Sequence, residues 1–363
     1  MFKKAVFPGK YLQGTGAIGE LPALVKLLGQ KGLILASGSA EKILLACGID
    51  LTIHGIEIER FGGECCEREL TRLSLLLSQK KVDVLIGMGG GKSIDTAKIA
   101  ADRAGIPVMI IPTIASTDAP CSGCAVVYSE MGIFERVYYQ KVNPAVVLVD
   151  TAIIAAAPVR FLVAGMGDAL ATWFEARSCV RTQSKNECDG YCTIVGLEIA
   201  KLCYETLLGD GMAAKIANDN RIITPALERI VEANILLSGI GFESAGLAAA
   251  HAIHNGLTVL SETHAFYHGE KVAFGTLAGL QLTDAPYAES EAAFSFCETI
   301  GLPVTLAEIG LAECQPDRLM MVAEKACEPG SSIHHEAGVF TPIKVLHAML
   351  ATDAIGQRRR KRG

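Results

Sequence analysis

Asp83-Val84-Leu85-Ile86-Gly87-Met88-Gly89-Gly90-Gly91-Lys92-Ser93 passes from an apolar strand pattern through a glycine run into a helical pattern over Ser93–Ala104. Glycines lack a Cβ, so backbone N–H groups in such a turn can approach a ligand closely. The helix N-terminus behind them supplies partial positive charge suited to a pyrophosphate. Lys92 adds a full charge, and the segment reads as a nucleotide phosphate cradle. It is not a G-x-x-x-x-G-K loop, because Lys92 would then require glycine at position 86, where Ile86 stands. That mismatch argues against a P-loop NTPase.

Working outward, Gly32–Ser37 (ended by Gly38), Pro107–Pro112 and Ala145–Asp150 repeat the short apolar strand pattern, with helical stretches such as Glu20–Leu28 between them. Apolar strands alternating with helices predict βαβ units and a parallel sheet covered on both faces, with ligands at the carboxyl ends of the strands. The third strand feeds Pro112–Pro120, where Thr113, Ser116, Thr117 and Asp118 gather hydroxyls and a carboxylate at the sheet mouth. A ligand site is one reading and a capped Asx or ST turn the other. A second glycine motif, Gly14-Thr15-Gly16-Ala17-Ile18-Gly19, fits G-x-G-x-x-G, but the following strand ends at Ser37-Gly38 without the expected acid. It is read as a turn and close-packing motif.

Beyond Pro158 the strand pattern gives way to helices over Gly167–Cys179, Cys192–Leu208, Pro225–Leu237, Gly246–Leu257 and Lys271–Leu282. The expected fold is therefore an α/β parallel-sheet domain over residues 1–158 and an all-helical domain over 159–363. The chain has 363 residues, 50% hydrophobic and 20% charged, with 33 Lys and Arg against 39 Asp and Glu for a net charge of −6. This composition excludes a disordered chain and disfavours nucleic acid as a partner. No apolar run reaches the ~18–20 residues of a membrane span, and the N-terminus lacks a signal-peptide core. A cytoplasmic protein is expected. The 12 cysteines are expected to be mostly buried, reduced thiols, since neither Cys121/Cys124 nor Cys188/Cys192 has partners at zinc-finger spacing. The basic run Arg358–Arg362 is read as a frayed, solvated tail.

The helical half holds four of the eight histidines within 18 residues: His251, His254, His264 and His268. Imidazoles at i, i+3 and i, i+4 suit a divalent metal, completed by a carboxylate, or else are ordinary core and surface histidines. Asp168, a charge that reads as opening an apolar helix, is the best carboxylate; a helix-capping role is the alternative.

Taken together, Pro8-Gly9-Lys10-Tyr11, Phe61-Gly62-Gly63-Glu64, Gly89–Lys92, Pro112–Pro120, Gly167–Ala176, Gly241-Phe242-Glu243-Ser244, His251–Gly256 and Tyr267–Gly275 resemble the metal-dependent polyol dehydrogenases related to iron-containing alcohol dehydrogenases. The resemblance covers essentially the whole chain. It implies a Rossmann-like NAD domain, a helical domain after it, and a catalytic metal between them, used to oxidise glycerol or a related vicinal diol reversibly to a hydroxyketone. The implied metal ligands are Asp168, His251 and His268, and Asp118 (with His251) would meet the substrate. Gly91, Lys92, Thr113, Ser116, Ser122, Cys124 and Tyr128 would line the cofactor. His254 is a candidate proton relay.

Iron members of the family carry a fourth ligand where Thr172 stands here, so Zn²⁺ is favoured over Fe²⁺. Polyol dehydrogenases of the family place an Asp on the adenosine ribose where this chain has Ser37, which predicts tolerance of NADP beside NAD. The family also implies homo-oligomers, from dimers to octamers. The alternatives carried forward are a cyclase resembling 3-dehydroquinate synthase and a glycerol-phosphate dehydrogenase.

Overall fold

A computed structural model describes residues 1–313 and 315–361; Arg362, the end of the basic run, lies outside them. Among the described residues eight strands form: β1 (Tyr11–Gly14), β2 (Gly32–Ala36), β3 (Ile56–Arg60), β4 (Val84–Gly89), β5 (Val108–Pro112), β6 (Cys124–Tyr128), β7 (Phe134–Tyr139) and β8 (Val146–Asp150). Six pair in parallel in the order β1-β8-β5-β4-β2-β3, and β6 with β7 makes a separate antiparallel hairpin. The central strands β2, β4, β5 and β8 are buried at every residue, as apolar runs covered on both faces must be.

Helices α1 (Leu21–Leu28), α2 (Gly38–Ala46), α3 (Glu67–Lys80), α4 (Gly91–Ala104) and α5 (Thr151–Ala156) accompany the sheet. The remaining helices follow without a further strand among the described residues: α6 (Val159–Thr182), α7 (Ile194–Asp219), α8 (Pro225–Glu232), α9 (Ser238–Ala245), α10 (Ala249–Leu257), α11 (His268–Leu282), α12 (Tyr287–Ile300), α13 (Pro316–Ala326) and α14 (Pro342–Arg360). One face of the sheet shares its apolar core with α3 and α4 and onward with α6 and α7, so the sheet and the helical half are packed on a continuous interior. The expected α/β sheet followed by helices is what forms.

Several local expectations need correction. Asp168 does not open a helix; α6 begins at Val159, and Asp168 lies deep inside it with its backbone groups already paired, so it cannot cap. Gly165 and Gly167, which suggest a break in the sequence, sit within α6 where neighbouring backbone leaves no room for a side chain. The expected helix Pro225–Leu237 is interrupted by a π-helical turn at Ala233–Leu237. Gly14–Gly19 is a turn, with Gly16 left-handed at φ 78° and the Asp150 carboxylate accepting from Gly16 N and Ile18 N. A Cβ at Gly14, Gly16 or Gly19 would meet nothing within 4 Å, so close packing is not its role. The described part of the basic run is not frayed: Arg359 reaches Glu291 and Glu298, and Arg360 reaches Glu308, which docks the end of α14.

Among the described residues no single helix is long and apolar enough to cross a membrane. The pair Pro225–Ala245 and Ala249–Leu257 has the composition but bends by 102° and is largely core.

Three helices meet with unusual intimacy. A Cβ on Gly269 would overlap the Ala164 carbonyl and lie 2.8 Å from Asp168 N, so α11 starts directly on the backbone of α6. A Cβ on Gly275 would overlap the Ala250 carbonyl, so α10 lies as tightly on α11. Gly269→Ala is expected to destabilise the protein by about 1–3 kcal/mol through forced separation of these helices. Thermal denaturation checks it, with a lowered midpoint as the expected result.

Candidate metal and nucleotide site

The glycine contacts between α6, α10 and α11 bring one chemically active side chain from each helix to a common point. Asp168 Oδ1 lies 3.1 Å from His268 Nε2 and 3.5 Å from His251 Nε2. These three ligand atoms lie within 4.8 Å of one another. Asp168 is 1% exposed and its Oδ1 has no hydrogen-bond donor, while Oδ2 accepts weakly from Asp118 N at 3.4 Å. A buried carboxylate oxygen left unpaired between two imidazole nitrogens is costly unless a cation completes it. The donor set fits a divalent metal.

Hydrogen bonds around the cluster orient both imidazoles for that role. Glu175 Oε2 accepts from His251 Nδ1 at 2.6 Å, and Glu175 Oε1 accepts from the backbone of Ala248 and His251. Placing the proton on Nδ1 leaves the Nε2 lone pair of His251 facing Asp168. His254 Nδ1 meets Asn255 Oδ1 at 3.1 Å, which must accept, so His254 Nε2 is an acceptor. His268 Nδ1, 3.0 Å from that nitrogen, then donates to it, and His268 Nε2 is also left free. Burial pulls His254 well below the ordinary imidazole range, as the accepting role requires.

The surrounding carboxylates favour positive charge at this point, either as a second proton on His251 or as the metal that would replace it. Burial pulls His251 down, but Glu175 and Asp168 outweigh it and hold it well above the usual range. Burial raises Asp168, and His268 and His251 reverse this to a net lowering. Asp118 is raised well above the carboxylate range by burial and then by neighbouring Asp168.

The glycine cradle forms where expected. β4 ends at Gly89, whose φ of 144° is closed to ordinary side chains, Gly90 caps α4, and Gly91 starts it with open space around its Cα. Lys92 is exposed beside it, paired with Glu64 and 5.3 Å from the centre of the Tyr128 ring. Ser37 ends the neighbouring strand and caps α2, accepting from Ala40 N at 3.3 Å. Thr113 follows β5, its N–H held by Gly89 O at 3.0 Å, with half-buried Ser116 farther along the same loop.

Ser122 is placed differently. It is fully buried, and its hydroxyl faces Lys98 Nζ at 3.3 Å and Ala119 O at 3.3 Å rather than open space. Half-buried Cys124 opens β6, and burial raises its thiol far above the reactive range. All cysteines among the described residues are free. His264 is separate from the cluster, exposed and bonded to Thr258 O.

Glu175, Lys98 and Ser238 were not singled out by the sequence. Glu175 had a signal: it stands seven residues after Asp168, on the same face of α6. Lys98 is wholly buried and bonds Ala119 O, Ser122 and Cys124 O, tying down the loop after Asp118. Nothing in its helical spacing distinguishes it from a solvated lysine.

A parallel sheet with a glycine cradle, facing a helical half with a carboxylate–imidazole cluster, defines a class of oxidoreductases, and comparison with known proteins agrees. Residues 8–151 match the family described as iron-containing alcohol dehydrogenase. The chain belongs to that family, among its glycerol dehydrogenases, and is an oxidoreductase. It is 50% identical to a glycerol dehydrogenase of Thermotoga maritima over 99% of each chain. It is 41% identical to a glycolaldehyde reductase of Halobacterium salinarum over 98% of each chain. The crystal structure of a probable glycerol dehydrogenase from Sinorhizobium meliloti 1021 superposes with a TM-score of 0.93 at 46% identity, covering 98% of this chain and 99% of that one. The resemblance drawn from the motifs is thus borne out over the full length.

Glu175→Gln removes the charge that orients and polarises His251 while keeping its shape. Affinity for a divalent metal is expected to fall about 10–100-fold. Competition of the purified variant against a chromophoric chelator measures it.

Proposed function

We propose that this protein is an NAD-linked, zinc-assisted dehydrogenase that oxidises glycerol or a related vicinal diol reversibly to the hydroxyketone. The observation that carries the reading is the unpaired Asp168 Oδ1 between the Nε2 atoms of His251 and His268. Those three residues are assigned as metal ligands, and three protein ligands with Thr172 in place of a fourth favour Zn²⁺ over Fe²⁺. A divalent cation held there supplies Lewis acidity toward the substrate hydroxyls, and a nicotinamide dinucleotide supplies the hydride acceptor.

The chain's own residues do the rest. Asp118, whose backbone N–H lies against Asp168, accepts a hydrogen bond from a substrate hydroxyl. His251 forms the other wall of the substrate site. Gly91, Lys92, Thr113, Ser116 and Tyr128 are assigned to the cofactor, with Ser122 and Cys124 contributing through the loop that Lys98 ties down. His254, bonded to Asn255 and His268, is assigned to orient His268, and that hydrogen-bonded chain keeps it the candidate proton relay. The division into a dinucleotide domain, 1–158, and a metal- and substrate-binding domain, 159–363, is part of the same reading. Likeness over the full length to a glycerol dehydrogenase and a glycolaldehyde reductase supports this reading over the cyclase and glycerol-phosphate ones.

Ser37 and its surroundings support a relaxed cofactor choice. Arg60 pairs with Ala36 at the end of β2, and its guanidinium approaches to 3.5 Å of where a Cβ on Gly38 would stand. A cation in place of the family's carboxylate at this corner suits a 2′-phosphate. The kcat/KM ratio of NAD over NADP is expected to stay below about a thousand, and Arg60→Ala to raise it at least fivefold through loss of NADP use.

A cytoplasmic homo-oligomer is proposed as the working form. Ile194, Leu202, Leu208, Met212 and Ile216 are exposed along one face of α7, an apolar stripe suited to a second copy of the chain. Light scattering is expected to give a multiple of the chain mass, with Ile216→Glu shifting it downward.

The test of the main reading is oxidation of glycerol and 1,2-propanediol with NAD by chelator-stripped protein before and after zinc is returned. Recovery of activity with stoichiometric zinc is expected. Full activity of zinc-free protein, or stoichiometric zinc retained by His251→Ala, would overturn it.

A further inference from the structure

The loop that carries Asp118 is clamped by the helical half, and the clamp centres on the π-helical turn Ala233–Leu237. Asn234 within that turn is fully buried and donates from Nδ2 to Ala115 O and Leu162 O, each at 3.0 Å. Ser238, immediately after the turn and also fully buried, donates its hydroxyl to Asp118 Oδ2 at 2.7 Å. A hydroxyl has one proton, so Ser238, donating to the carboxylate, must accept from Thr172 Oγ1, which lies 2.9 Å away. Thr172 is held in turn: a Cβ on Gly241 would come within 2.6 Å of its methyl group.

Two further glycines show that the loop has no slack. A Cβ on Gly165 would overlap Ala115 O and Asn234 Nδ2, and one on Gly239 would lie 2.9 Å from Asp118 O and 3.0 Å from Cys121 Cβ. π turns interrupt regular helices at a cost in regular pairing and concentrate at functional sites. Here the extra residue sets Asn234 and Ser238 on the same loop, one holding its backbone and the other its carboxylate.

We propose that Ser238, backed by Thr172, is a positioning residue for diol selectivity: it fixes the rotation of the Asp118 carboxylate so that a substrate bearing a second hydroxyl is bound in one orientation. The position occupied by a fourth metal ligand in iron members of the family therefore has a second use in this chain. Thr172 leads a hydroxyl chain that ends on the Asp118 carboxylate rather than on the metal. This rests on Asp118 meeting a substrate hydroxyl, and the test separates the two ideas.

The probes are 1,2-propanediol and 2-propanol, which share a reacting secondary alcohol and differ in the neighbouring hydroxyl. Wild-type enzyme, Asp118→Asn, Ser238→Ala and Thr172→Val are assayed as zinc-loaded holoenzymes, with zinc content and NADH affinity measured on each. Ser238→Ala is expected to lower the ratio of kcat/KM for the diol to that for 2-propanol about tenfold, the weight of one buried hydrogen bond, mainly through KM. Thr172→Val is expected to lower the ratio about threefold in the same sense, and zinc content is expected to remain stoichiometric in both. The double variant should do no more than Ser238→Ala alone, since the two act in series.

If Asp118→Asn lowers the ratio and both Ser238→Ala and Thr172→Val leave it unchanged, the positioning role is overturned while the reading of Asp118 stands. If Asp118→Asn itself leaves the ratio unchanged, the reading of Asp118 falls and takes the positioning role with it. Equal loss toward both alcohols in Thr172→Val, an almost isosteric change, would show a merely structural role and overturn the proposal.

Discussion

Backbone-on-backbone contact among α6, α10 and α11 is the constraint on which the site depends. Gly269 lets α11 begin against the carbonyl of Ala164, and Gly275 lets α10 lie on α11, with no side chain between. The close approach of these three helices fixes where the ligand atoms that each contributes converge. Asp168, His251 and His268 are set by that approach. Glu175 and His254 then fix the tautomers of the two imidazoles. The arrangement concentrates a desolvated carboxylate and two oriented lone pairs in a place where only a cation satisfies all three.

The nucleotide half follows a different logic. Its cradle needs backbone freedom rather than close packing, and Gly89 and Gly91 supply it at the end of β4. The loop leaving β5 runs from this cradle to the metal cluster, passing Thr113, Asp118 and Ser122 on the way. Its fixation by Lys98 from one half and by Asn234 and Ser238 from the other joins the glycine cradle and the carboxylate–imidazole cluster mechanically. A buried lysine with three oxygen partners is a polar anchor whose charge is satisfied locally.

Much of this was legible in the sequence, for identifiable reasons. Strands β2, β4, β5 and β8 announce themselves because both faces are buried and almost every residue must be apolar. The edge strands β1 and β3 were missed: Tyr11-Leu12-Gln13-Gly14 is short and half-exposed, and Ile56-Glu57-Ile58-Glu59-Arg60 alternates polar and apolar residues. The start of α6 was missed because Gly165 and Gly167 imitate helix breakers, when close helix contact is what they serve. The metal triad came from the family likeness of its motifs; spacing alone grouped His264 with the others, and the structure separates it. Ser238 and Asn234 could not be found by pattern, because their significance depends on a π turn that shifts them relative to an ordinary helix.

The central claim is that a metal is held by one carboxylate and two imidazoles with no protein thiolate. Zinc K-edge absorption on the purified zinc-loaded protein tests it most directly. The account predicts a shell of nitrogen and oxygen at about 2.0–2.1 Å with the outer-shell scattering of two imidazoles. A sulfur shell at about 2.3 Å, or a count of imidazoles other than two, would contradict it.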